Sequence, residues 1–217
     1  MPDKKRLSLP IKLAIGLVVL AGLGYLFVSS LETTRAEPYL VSPASLAKWE
    51  LVLDESPNAP ANAPLLSIRT DTALVSNLFR QVFLRTMESM SSPSSSSIAV
   101  VLHGEFTGAL ATRMTAEQLL ATARGAGLEG AVHQPRCLVH HRVSEPGSTR
   151  QAYAALMTSP SILRFREGLA AQAGGGFDAA DLTPVMLVGA SDVVFHRWLP
   201  FQASDEDCVA PITVAVP

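Results

Sequence analysis

The chain has 217 residues, of which 48% are hydrophobic and 17% are charged, and its formal net charge is -2. This hydrophobic fraction is too high for an intrinsically disordered chain and too low for a polytopic membrane protein. The mildly acidic balance argues against a nucleic-acid partner, because phosphate binding requires a basic surface. The length fits about one domain and an appendage.

A basic tail at residues 1–12 precedes an uncharged apolar segment at residues 13–31. As a helix, these 19 residues would extend ~28 Å, about the thickness of the hydrocarbon core of a bilayer. The sequence therefore predicts a single-pass signal anchor in a bacterial inner membrane, with a cytoplasmic N-terminus and a periplasmic C-terminal domain. The predicted anchor residues are Leu13, Leu17, Leu20, Leu23 and Leu26.

The same segment has an alternative interpretation as a signal peptide that is cleaved after Ala36. The apolar run of a signal peptide is usually about 7–15 residues, which is shorter than residues 13–31, so a retained anchor is preferred. A periplasmic domain permits disulfides. Cys137 and Cys208 are the two cysteines of the chain, and we predict that they pair, with two buried free thiols as the alternative.

Residues 32–69 are rich in proline, which predicts an extended stalk between the anchor and the domain at residues 70–217. Residues 70–90 carry apolar side chains at three- and four-residue steps, and this spacing predicts an amphipathic helix. Its apolar stripe either packs on the core or binds a partner. The candidate partner-facing residues are Leu74, Leu78, Val82, Phe83 and Met87. The serine-rich residues 91–97 predict a flexible connector.

The region from residue 98 to residue 217 alternates apolar strand patterns with two helical patterns, and the helices begin near Thr115 and Pro160. The resulting order, βαββαβ, predicts an α+β domain of the ferredoxin-like kind, with both helices on one face of a four-stranded antiparallel sheet. Two further strands are expected at the C-terminal end. The predicted strands cover residues 98–106, 136–144, 149–157, 185–189, 193–199 and 209–216.

Few residues point to chemistry. Gly125, Gly127 and Gly130 form a G-x-G-x-x-G sequence, but a helix is predicted before it rather than a strand, so we interpret it as a turn and predict no cofactor. No metal site is predicted either, because the histidines lack metal-ligand spacing. If Pro146 and Gly147 form a two-residue loop between neighbouring strands, His140 falls opposite Tyr153 as an ordinary cross-strand pair. The candidates for a catalytic role are His103, His140, His141 and Ser191.

The layout of tail, span, stalk and domain resembles that of inner-membrane scaffold proteins in secretion and pilus machines. We therefore predict a non-enzymatic accessory or scaffold subunit that stabilises a larger membrane complex, which could be respiratory, photosynthetic or secretory. Its predicted partners are other membrane protein subunits and the lipid bilayer. The alternatives are a membrane-tethered periplasmic hydrolase and a module that binds a small ligand or a cell-wall component.

Overall fold

The computed structural model describes residues 16–26, 37–145, 147–199 and 201–215. The chain divides into two units, residues 1–37 and residues 38–217. The described part of the first unit is helix α1, at residues 16–26. Its large apolar side chains are exposed, and they include four of the predicted anchor residues: Leu17, Leu20, Leu23 and Leu26.

The structure contradicts the predicted anchor. Across the residues that the structure describes, no helix combines the length and the apolar character needed to cross a membrane. The predicted transmembrane helix at residues 13–31 is therefore wrong, as are the signal anchor, the single-pass topology and the inner-membrane and periplasmic placement that depended on it. Leu13 and the tail at residues 1–12 lie outside the described residues.

The second unit is built on one sheet of eight strands. The strands are β1 Tyr39–Val41, β2 Glu50–Leu53, β3 Pro64–Thr70, β4 Ser96–Leu102, β5 Gln134–Glu145, β6 Ser148–Thr158, β7 Val185–Ala190 and β8 Cys208–Val214. Their order across the sheet is β1-β8-β5-β6-β7-β4-β3-β2. The edge pair β1 and β8 is parallel, and the other neighbouring pairs are antiparallel.

Four α-helices accompany the sheet, so that five α-helices, with α1, are described. They are α2 Ala73–Thr86, α3 His103–Glu105, α4 Ala116–Gly125 and α5 Pro160–Ala173. Helix α4 begins at a capping box, in which the Thr115 hydroxyl accepts from the Gln118 backbone and the Gln118 side chain accepts from the Thr115 backbone. Pro160 occupies the first turn of α5, where its missing N–H costs nothing.

The two faces of the sheet are covered differently. Alternate strand side chains such as Ile98 and Val188 share one core with the buried residues of α2, α4 and α5. The opposite face carries a second core, which includes Val139 and Leu187. Residues 195–199 and 201–208 cover this second core, and Trp198 is its most buried aromatic residue.

The predicted ferredoxin-like topology is wrong at one strand. In that fold the first and third strands are neighbours, whereas here β7 lies between β4 and β6. The reason is that a strand has only two edges. Strand β3, which lies in the region predicted as a stalk, pairs with one edge of β4, and β7 takes the other. The predicted strand at residues 193–199 is instead a short 3-10 helix, Phe195–Trp198. With its eight-stranded sheet and its helices, the unit is a mixed α/β fold.

The sheet contains two successive ββαβ halves. The first half is β2-β3-α2-β4, and the second half is β5-β6-α5-β7. In each half a hairpin is followed by a 14-residue helix and by a third strand that pairs with the second. The halves meet where β4 and β7 pair, with Ile98 opposite Met186.

Candidate functional site at the end of helix α2

The apolar stripe of α2 divides into a buried part and an exposed part. Leu74, Leu78 and Val82, three of the candidate partner-facing residues, lie in the core. The other two lie on the surface, where Phe83 is 41% exposed and Met87 is 72% exposed. Leu84 lies between them in sequence and is 65% exposed. We call Phe83, Leu84 and Met87 the α2 patch.

Met87 adopts an unusual backbone conformation. It follows the last turn of α2 with φ 56°, in the left-handed region, and its N–H donates to the Phe83 carbonyl at 2.8 Å. Among the described residues it is the only one other than glycine with a positive φ. Glycine is the usual residue at this helix position, because a Cβ atom there costs about 1 kcal/mol. The fold therefore does not require methionine here.

The patch rests on a rigid support. The ring of Phe79 stacks on that of Phe83 with 6.4 Å between centroids. On its other side Phe79 lies against β7 at Gly189, where an added Cβ atom would come within 2.8 Å of the Phe79 ring. Gly189 thus allows the close approach that seats α2 on the sheet, and it holds the base of the patch in place.

Helix α2 also closes the free edge of strand β1. The Leu40 N–H donates to Gln81 Oε1 at 2.9 Å, and Gln81 Nε2 donates to the Leu40 carbonyl at 2.7 Å. The side-chain amide therefore takes the place of a neighbouring strand and protects the edge from pairing with another chain. Arg85 lies over the Tyr39 ring at 4.1 Å. These contacts tie the helix end to the edge of the sheet.

A polar cluster closes the core beside the patch. Glu88 accepts a hydrogen bond from Gln151 Nε2 at 3.0 Å and pairs with Arg142 at 3.6 Å. His140 lies opposite Tyr153, as predicted, and their rings stack at 4.1 Å. Burial lowers the pKa of His140 and raises that of Tyr153, to which a hydrogen bond with Glu88 also contributes. Both rings are therefore neutral near pH 7.

The structure does not bring the four catalytic candidates together. His103 begins α3, and His141 stacks on Phe201 at 4.8 Å, on the face of the sheet opposite His140. Ser191 accepts a hydrogen bond from the Gln151 N–H at 3.0 Å. Within the described part of the chain, no hydrogen bond joins any two of the four. They form no nucleophile and base pair of the kind that hydrolysis requires.

One serine and histidine pair was not predicted. Ser159 Oγ lies 2.6 Å from His133 Nδ1, and His133 Nε2 lies 2.8 Å from the Leu128 carbonyl. Because the carbonyl can only accept, Nε2 carries the proton and Nδ1 accepts from the serine hydroxyl. Burial lowers the pKa of His133. His133 is 1% exposed and Ser159 is 5% exposed, so the pair stabilises the start of α5. No local motif joins these two residues, and sequence patterns could not have identified them.

The predicted disulfide is present. Cys137 on β5 bonds to Cys208 at the start of β8, with Cα atoms 5.6 Å apart. Gly127 has φ 71° directly after α4, which fits the turn interpretation of the glycine sequence. Among the residues with described positions, no three His, Cys, Asp or Glu side chains are grouped closely enough to hold a metal ion.

Comparisons with known proteins add no further constraint: no protein-family model, curated protein or solved structure matches this chain.

Proposed function

We propose that the protein is a non-enzymatic scaffold subunit whose α2 patch binds an amphipathic, acidic helix of a partner protein. The observation that carries this proposal is the exposure of Phe83, Leu84 and Met87 at one end of a rigidly held helix. Large apolar side chains that are grouped and exposed are typical of interaction sites.

The second half of the sheet supplies an internal reference for the patch. Helices α2 and α5 have equal lengths and both end at a left-handed residue, so they align with a constant shift of 87 positions. In α5 the positions equivalent to the patch are small: Ala170, Ala171 and Gly174. A ββαβ half therefore forms without large residues at this place. The patch needs an explanation outside the fold, and a binding partner supplies it.

The charges beside the patch favour an acidic partner. Arg80, which is exposed, precedes Phe83 and Leu84 by three and four residues and so lies on the same side of the helix. Arg142 is 59% exposed and pairs with Glu88, the residue after Met87, so Arg80 carries the charge argument. A partner helix with an apolar stripe and a carboxylate that reaches Arg80 would match the patch, as in the helix-in-groove mode of recognition.

Two synthetic helical peptides test this proposal. Both carry the same leucine stripe, and one has glutamates and the other lysines beside it. We expect the glutamate peptide to bind the full chain more tightly in fluorescence anisotropy. Replacing the patch by its α5 counterparts, Phe83→Ala, Leu84→Ala and Met87→Gly, should weaken that binding at least about tenfold, because buried anchor residues dominate helix recognition. Arg80→Glu should reduce the preference for glutamate.

A matched control is available on the equivalent helix. Leu163 on α5 is also exposed, and Leu163→Ala should leave the affinity unchanged. Equal binding of the two peptides, or binding that survives the triple substitution, would contradict the proposal. Analytical ultracentrifugation of the chain alone distinguishes another occupant. A concentration-dependent dimer that the triple substitution abolishes would replace the acidic partner by a second copy.

A further inference from the structure

A cavity of about 220 Å³ lies on the face of the sheet opposite the helices, and it shares no residue with the α2 patch. Its floor is formed by the buried side chains of Ala99, Val185 and Leu187. Phe195 and Leu199, from the segment that crosses this face, form an apolar wall. The interior of the cavity is therefore shaped for an apolar body.

The rim of the cavity is polar and uncharged. Ser94, Ser95 and Ser97 line it together with His196. In the described part of the chain, no hydrogen bond engages these three hydroxyls or the His196 imidazole. The backbone carbonyl of His196 accepts from Asn62 Nδ2 and from the Leu199 N–H. No Lys, Arg, Asp or Glu is among the described residues that line the cavity. These groups can therefore serve a ligand that hydrogen-bonds without carrying charge.

The volume limits the ligand to a small molecule. An apolar cavity of about 150 Å³ is large enough to hold benzene, so about 220 Å³ accommodates one ring with a polar substituent. We infer that this cavity binds a small uncharged molecule with one ring or branched apolar body and one hydroxyl or carbonyl group. The apolar body lies on Ala99, Val185 and Leu187, and the polar group meets the serine hydroxyls at the rim.

Phenol is the probe for this site, with benzene and benzoate as comparisons, in an NMR titration of the full chain. We expect saturable binding of phenol with a Kd of roughly 0.1–1 mM, weaker binding of benzene, and the weakest binding of benzoate, because the cavity offers no cation to a carboxylate. The shifted resonances should include those of His196 and Leu199.

Two variants locate the binding. Ala99→Leu fills the floor and should abolish binding of phenol and benzene alike. Ser94→Ala combined with Ser97→Ala should weaken phenol about fivefold and leave benzene unchanged, because only phenol uses the hydroxyls. The matched control is Val193→Ala, an exposed apolar residue that lies two positions before Phe195 and does not line the cavity.

Three results would overturn the inference. The first is a lack of saturable phenol binding up to roughly 10 mM. The second is tighter binding of benzoate than of phenol. The third is phenol affinity that neither the floor variant nor the serine variant changes. If Ala99→Leu does not fold, the serine variant decides alone, since its substitutions lie at the rim. A negative result for the cavity would not affect the proposed function of the α2 patch, because the two sites share no residue.

Discussion

Helices α2 and α5 hold equivalent places in the two halves of one sheet, yet their surfaces differ on both sides. Each has 14 residues, and each ends at a left-handed residue, Met87 in α2 and Gly174 in α5. On the outside, α2 presents three large apolar residues where α5 has two alanines and a glycine. The comparison separates what a ββαβ half needs for folding from what one half has in addition.

On the side that faces the sheet, α2 makes an apolar contact where α5 makes an ionic one. The shift that aligns the helices places Phe79 opposite Arg166. Phe79 packs on β7, in the other half, at Gly189. Arg166 is 1% exposed and reaches β4, also in the other half, where it donates to the Val100 carbonyl at 2.8 Å. It also pairs at 2.6 Å with Glu105 of α3, which follows β4. Each helix thus contacts the strand at which the opposite half meets its own, α2 through an apolar ring and α5 through a charged side chain.

The largest expected effect on stability comes from breaking the ion pair between Arg166 and Glu105. Arg166→Met leaves Glu105 without its cation in a site that is largely closed to water. We expect the free energy of unfolding to fall by about 3–5 kcal/mol in urea denaturation, because an unpaired buried charge is costly. Adding Glu105→Gln should recover part of the loss. A fall below about 1 kcal/mol for Arg166→Met alone would show that the pair behaves as an exposed salt bridge.

The disulfide links β5, in the second half, to β8. Its removal should cause the next largest loss of stability. Its two cysteines are 71 residues apart in sequence. In the chain-entropy account, closing a loop of this length stabilises the fold by about 4 kcal/mol. Replacing Cys137 and Cys208 by alanine should lower the unfolding free energy by about that amount. Equal stability of the double variant and the unreduced native chain would contradict this expectation.

The buried His133 and the half-buried His140 make stability depend on pH. Burial lowers the folded-state pKa of His133 and of His140, whereas in the unfolded chain both titrate near the ordinary value of about 6.5. The unfolded state therefore binds more protons as pH falls through that value, and stability is lost. The slope is at most about 1.4 kcal/mol per pH unit for each histidine. Denaturation between about pH 7.5 and 5.5 measures it.

Substituting one histidine identifies its share of that slope. His140→Gln should reduce the pH dependence while keeping a polar group beside Gln151 and Glu88. Stability that stays constant or rises toward pH 5.5 would refute the assignment of both rings as neutral in the folded protein.

The smallest expected effect is a gain in stability. Met87→Gly gives α2 the residue that α5 has at this position, and it should raise the unfolding free energy by roughly 0.5–1 kcal/mol, because the left-handed conformation no longer strains a Cβ atom. The reverse change at the equivalent position, Gly174→Ala, should lower it. A loss of stability in Met87→Gly would mean that the methionine side chain packs on its own domain.

Several features were predictable because they depend on local chemistry. The Thr115 and Gln118 capping box, the register of His140 with Tyr153 and the disulfide all follow from spacing or from an even cysteine count. The strand order does not, because it depends on which edges meet between distant segments. The prolines of residues 32–69 led us to predict a stalk there and to miss β3, which starts at Pro64. Strand β3 pairs with the edge of β4 that β6 would occupy in the predicted topology.

The sequence named Phe83 and Met87 of the α2 patch, but it could not separate them from the buried residues of the same stripe. Periodicity placed Leu74 and Met87 on one stripe, but it cannot say where the neighbouring layer ends. The core covers only the first part of the stripe, and the helix stops at Thr86.

Mapping the glutamate peptide on the protein by NMR tests the central claim most directly. With isotope-labelled chain and unlabelled peptide, we expect the chemical-shift changes to centre on Phe83, Leu84 and Met87 and to extend to Arg80 and Arg142. Residues 170–174, at the equivalent end of α5, should stay unchanged and provide the internal reference. Shifts of equal size at the two helix ends, or a lack of saturable shifts at the α2 patch, would contradict the account.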